Sequence, residues 1–122
     1  MKLLIYGGGG NPELPGYKEV YDLMAELAQK YGYESVDKTL RWPGCASPGE
    51  GDPGTRRTLD NALEAARDKV KALESEDADY HILGHCFGAM VTTRLAADPE
   101  FAHLKKIMLW GAIPYPVYGG CL

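Results

Sequence analysis

The sequence predicts an α/β fold, a three-layer sandwich built on a parallel sheet of about four strands. Two observations carry this expectation. Short apolar runs of strand length alternate with longer segments whose apolar residues recur at helical spacing, and such alternation implies parallel pairing through right-handed crossovers. The second observation is an abrupt passage from the apolar run Tyr80-His81-Ile82-Leu83, through Gly84-His85-Cys86-Phe87-Gly88, into the helical segment Ala89 to Ala97.

Taken in order, the first strand is Leu3-Leu4-Ile5-Tyr6, which runs into Gly7-Gly8-Gly9-Gly10-Asn11-Pro12. Val20, Leu23, Met24, Leu27, Ala28 and Tyr31 then fall at helical spacing, with Gly32 as a stop, so residues 16 to 31 read as an amphipathic helix. A second strand follows around Tyr33 to Leu40. Prolines and glycines between Arg41 and Gly54 exclude regular structure there. Leu59, Ala62, Leu63, Ala66, Val70 and Leu73 mark a second helix, entered through Thr55 and Thr58 and running to about Glu74. The third strand and helix flank Cys86, Asp98-Pro99 ends that helix, and Ile107-Met108-Leu109-Trp110 is the fourth strand.

The 122 residues make one domain, and the balance of 25% charged to 45% hydrophobic residues is that of a globular protein. A net charge of -4 and a pI near 5.3 argue against a nucleic-acid partner, which needs a basic face. No apolar run approaches the roughly 18 residues of a membrane span, and the opening run lacks the length and cleavage site of a signal peptide. Three cysteines argue against a disulfide framework and fit a reducing compartment, so a cytoplasmic location is expected.

Glycines two before and two after Cys86 leave room for a tight turn that lifts its side chain above the sheet, at a helix N-terminus whose unpaired amides favour an anionic sulfur. The stretch Gly84-His85-Cys86-Phe87-Gly88 resembles the nucleophile elbow of the α/β-hydrolases, with cysteine where most members carry serine. The glycine run after the first strand looks like that family's oxyanion loop, although Tyr6-Gly7 stands where the family has His-Gly. The resemblance implies Cys86 as nucleophile. It also implies oxyanion amides from Phe87 and Gly8, or Gly9 if the register differs by a residue. It further implies a sheet order of second, first, third, fourth, with function at the carboxyl edge of the strands. Gly-x-Cys-x-Gly is most similar to dienelactone hydrolases and to the polyester synthases of storage granules.

The family supplies its acid and histidine after the nucleophile, and the strands that carry them have no counterpart here. The expected fold is therefore a partial α/β-hydrolase fold, with the base supplied from outside the chain. His103 and His81 are expected at the amino ends of the strands, away from Cys86, and His85 is expected to pack into the protein. The implied function is a hydrolase or acyl-transfer enzyme acting on a carboxylic ester, thioester or lactone, without cofactor or metal.

Alternatives stand beside this reading. The glycine run could cradle a phosphate, but it lacks a P-loop's Lys-Ser/Thr and a dinucleotide fingerprint's spacing. Cys45 and Cys121 could join Cys86 in a redox pair or metal site, although no Cys-x-x-Cys spacing supports one. The chain also resembles class I glutamine amidotransferases at the Gly-x-Cys-x-Gly stretch, with Ala89 where that family has a histidine. A non-catalytic remnant acting through binding or self-association is the reading from another class. The apolar fourth strand, left at a sheet edge, predicts homo-oligomerisation through that edge.

Overall fold

The computed structural model describes residues 1–7, 15–40 and 59–111. Seven elements alternate along it: β1 (Lys2–Tyr6), α1 (Tyr17–Lys30), β2 (Ser35–Leu40), α2 (Leu59–Glu74), β3 (Tyr80–His85), α3 (Phe87–Ala96) and β4 (Leu104–Trp110). The strands form one all-parallel sheet in the order β2-β1-β3-β4, as expected from the sequence. β1 and β3 pair without a break from Lys2↔Tyr80 to Tyr6↔Gly84, which sets the carboxyl end of β1 beside the start of the turn into α3.

Side chains alternate across the sheet and feed two apolar layers. On one face Leu4, Tyr6, Tyr80 and Ile82 pack with Ala62, Ala66 and Val70 of α2 and with Phe87, Val91 and Leu95 of α3. On the other, Leu3 and Ile5 pack with Tyr21 of α1, joined by Met24, Ala28, Leu83 and Met108. Among the described residues the three-layer sandwich thus has α2 and α3 on one face and α1 on the other.

Gly32 ends α1 as expected, at φ +103°. Its N–H donates to the carbonyl of Gln29 at 3.1 Å and that of Tyr33 to Ala28 at 3.1 Å, the double closure of a Schellman motif. The face that α1 buries agrees only in part with the sequence reading, since Met24 and Ala28 of the expected stripe join the core and the rest do not. Tyr21 is its buried residue, while Val20, Leu23, Leu27 and Tyr31 are exposed. Among the described residues α1 is the one helix on this face, and Tyr21, Met24 and Ala28 form the stripe that it buries.

β4 begins three residues earlier than expected and α3 two residues earlier, directly at Phe87. Among the described residues β4 is an edge strand, and Leu109 and Trp110 are 46% and 48% exposed. No helix among these residues is long and apolar enough to cross a membrane.

Candidate functional site

β3 turns into α3 at a single residue. Cys86 occupies the N-cap of α3 with φ 56° and ψ -117°, a backbone conformation that L residues rarely adopt and that costs on the order of 1–3 kcal/mol. The neighbouring sequence explains how it is held. A Cβ on Gly84 would lie 2.6 Å from Thr92 Oγ1 and 2.8 Å from Ala89 Cα, so only a glycine lets β3 run this close beneath the first turn of α3. A Cβ on Gly88 would lie 2.5 Å from the carbonyl oxygen of Gly7 and closer still to that of Tyr6. The start of α3 is therefore pressed onto the end of β1. A third tie comes from β4, where the Trp110 carbonyl accepts from the Cys86 N–H at 3.0 Å.

The result is a thiol, partly exposed and unpaired, at the carboxyl edge of the sheet on a turn braced from both neighbouring strands. Phe87 opens α3 with its side chain 5% exposed in the core. Gly7 lies against Gly88, which brings the start of the glycine run to the thiol's turn. Gly8 and Gly9, the loop donors expected from the sequence, lie outside the described residues. So do Cys45 and Cys121, and with them the proposed thiol trio. Among the described residues no cluster of three His, Cys, Asp or Glu could hold a metal.

The histidines sit as the sequence predicts. His103 is at the amino end of the sheet, with Nδ1 3.1 Å from Asp79 and Nε2 3.1 Å from Asp77. The hydrogen bond to Asp79 raises its pKa above the ordinary histidine value. His81, also low on β3, has Nδ1 2.6 Å from the Tyr33 hydroxyl, and burial lowers its pKa. His85 points away from the thiol's side of the sheet into a cluster with Tyr21 and Trp110. Its Nδ1 is hydrogen-bonded to the Tyr21 hydroxyl at 2.9 Å, and its ring stacks on Trp110 with centroids 4.4 Å apart and planes 23° from parallel. Burial lowers its pKa below the ordinary histidine value.

This cluster borders a cavity of about 280 Å³ that Tyr17, Val20, Tyr21, His85 and Trp110 line. The sequence reading placed Trp110 at the end of the fourth strand but passed over Tyr21, the partner of His85. Its signal was the i, i+4 aromatic pair Tyr17 and Tyr21 at the start of α1.

Comparison with protein-family models, with curated proteins and with solved structures finds no match to this chain.

Proposed function

We propose that the chain carries the nucleophile of a cysteine hydrolase or acyl-transfer enzyme acting on a carboxylic ester, thioester or lactone. The observation that supports it is the backbone of Cys86, φ 56° and ψ -117°, between a strand and a helix. A cost in strain at a partly exposed thiol, sustained by two glycines that cannot bear a side chain, is the economy of a nucleophile elbow. In this reading Cys86 Sγ gives up its proton and attacks the carbonyl carbon. The tetrahedral oxyanion accepts hydrogen bonds from the Phe87 amide and from Gly8 or Gly9. Collapse breaks the bond to the leaving group, which takes a proton, and leaves an acyl-thioester for water or a second acceptor to cleave. His81 and His103 are at the wrong end of the sheet and His85 faces the α1 layer. The base is therefore assigned outside the described residues, and no cofactor or metal is invoked. An unpaired thiol in this role suits the cytoplasm.

The test is covalent trapping. Incubation with p-nitrophenyl acetate should add one acetyl group per chain, mapped to Cys86 by peptide mass and lost in Cys86→Ala. An adduct confined to Cys45 or Cys121, or none at all, overturns the assignment.

A second reading, a self-association domain, draws on β4. Among the described residues its outer backbone groups and the exposed Leu109 and Trp110 form an edge that a second copy of the chain would cover. Sedimentation at micromolar concentration should show a dimer or larger assembly that Leu109→Glu disperses. A monomer at that concentration ends this reading.

A further inference from the structure

α1 carries more apolar surface than its contact with the sheet uses. Tyr21, Met24 and Ala28 enter the core, and beside them a second stripe runs the length of the helix. Tyr17, Val20, Leu23, Leu27 and Tyr31 recur along it at three or four residues, and all are exposed, Leu23 at 55% and Tyr31 at 85%. The opposite flank of the helix is ionic. Asp22 there pairs with Lys18 and with Lys38 of β2, so α1 turns a charged side toward β2 and the apolar stripe away from it. Val20 and Trp110 border one hollow, which continues the stripe onto the end of β4.

The stripe is close to its own mirror in sequence. Turning α1 end for end about its midpoint exchanges Tyr17 with Tyr31 and, to within one position, Val20 with Leu27 and Glu19 with Lys30. A two-fold interface demands such self-complementarity, because each of its contacts is made twice. Charge fixes the direction. Glu19 in the first turn and Lys30 in the last lie on one flank of the stripe, immediately before Val20 and Tyr31. Antiparallel packing places each Glu19 beside the partner's Lys30 and opposes the two macrodipoles, whereas parallel packing sets glutamate on glutamate and lysine on lysine. The stripe and Trp110 offer on the order of 500 Å² of apolar surface per copy, a large part of the roughly 800 Å² that each partner brings to a standard interface.

We propose that α1 is the contact of a symmetric dimer, in which a second copy of this chain lays its own α1 antiparallel along the stripe from Tyr17 to Tyr31. The inference stands apart from the nucleophile assignment, and its surface differs from the outer edge of β4.

Sedimentation equilibrium of the full chain at micromolar concentration tests it, with circular dichroism showing that each variant is folded. The parent is expected to dimerise and Leu23→Glu, at an exposed position near the middle of the stripe, to be monomeric. Leu27→Glu is a second such variant. Leu109→Glu leaves this dimer in place, and where the β4 edge also associates it reduces a larger assembly to the dimer. Lys30→Glu weakens association about tenfold, since two opposed pairs become repulsive, and adding Glu19→Lys to it restores the parental strength. Glu19 also accepts from the Gly16 N–H, so this exchange is scored by association and not by stability. A monomeric parent overturns the proposal. An assembly that Leu109→Glu disperses to monomers while Leu23→Glu and Leu27→Glu leave it intact overturns it and moves the contact to β4. A dimer that Lys30→Glu does not weaken, or that the charge exchange does not restore, overturns the antiparallel arrangement and the proposal with it.

Discussion

Gly88→Ala separates two physical effects that predict opposite signs. Gly88 is the second residue of α3, and on helix propensity alone alanine there should stabilise the fold by up to about 1 kcal/mol. Packing says otherwise. The new methyl would sit 2.5 Å from both the Gly7 carbonyl oxygen and Tyr6 Cδ1, against a normal carbon–oxygen contact of more than about 3 Å. Its nearest neighbours are backbone atoms at the end of β1, which cannot swing aside as a side-chain tip would. Tyr6 is fully buried, so its ring has no free volume to enter. Overpacking of this kind costs typically about 1–3 kcal/mol, and the upper end applies where backbone must move. After subtraction of the propensity gain, a net loss of about 2 kcal/mol remains. For a chain of this length that corresponds to a fall in melting temperature of roughly 6–12 °C. Urea and thermal denaturation followed by circular dichroism measure it, with Gly16→Ala as control. At Gly16 φ is +92° and nothing lies within 4 Å of a Cβ, so that change carries a conformational cost without a clash. A Gly88→Ala protein as stable as the parent, or more stable, would refute the close approach of α3 to β1 on which the site geometry rests.

Other outcomes follow from the same geometry. Cys86→Gly should be more stable than Cys86→Ala by about 1 kcal/mol in urea denaturation, because glycine adopts positive φ without a Cβ penalty. Thr92 is fully buried and its Oγ1 has no hydrogen-bond partner among the described residues. Thr92→Val should therefore raise stability by about 1 kcal/mol, read from the urea midpoint. His103 has a raised folded-state pKa, so its contribution is fully present below the unfolded value of 6.5 and is lost as pH rises through the folded value. His103→Gln should accordingly lower the melting temperature at pH 5.5 and leave it unchanged at pH 9. His85 and His81, shifted the other way by burial, should titrate below 6.5 in histidine ring NMR. Limiting iodoacetamide should modify Cys86 ahead of Cys45 and Cys121, as peptide mass mapping would show.

The fold was legible because its signals are local and repeated. Periodicity in α2, the apolar runs of β1 and β3, and the glycine that closes α1 each specify one element, and alternation then restricts the pairing. The turn at Cys86 was legible for a sharper reason, since Gly84 and Gly88 occur where a side chain would strike backbone. What could not be read was which stripe of α1 faces the sheet. Val20, Leu23 and Leu27 are as apolar as Tyr21, Met24 and Ala28, and only the presence or absence of a neighbouring layer decides between them. The aromatic cluster was hidden for a similar reason. Tyr21, His85 and Trp110 are separated by 64 and 25 positions, and no spacing rule links residues that meet through three different elements.

The conformation of Cys86 is a consequence of tertiary structure as much as of its pentapeptide. In an isolated peptide Gly-His-Cys-Phe-Gly would spend little time with a cysteine at φ 56°, because relaxation of that residue releases the strain at no cost elsewhere. In the folded chain relaxation is blocked from two directions. Rotation that lifts α3 away would open the contact between Gly88 and the end of β1, exposing the Phe87 and Val91 layer of the core. Rotation that withdraws Cys86 from β4 would break the hydrogen bond from its N–H to Trp110 and separate the His85 and Trp110 rings. The strain is thus borne by contacts contributed from β1, β4 and α3 together, and it persists only while all three are in place. A glycine–cysteine–glycine pattern at a strand-to-helix junction therefore holds its cysteine at positive φ only when the flanking strands end at the height of the turn. Tyr6 paired with Gly84, and Trp110 paired with His85, set that height here.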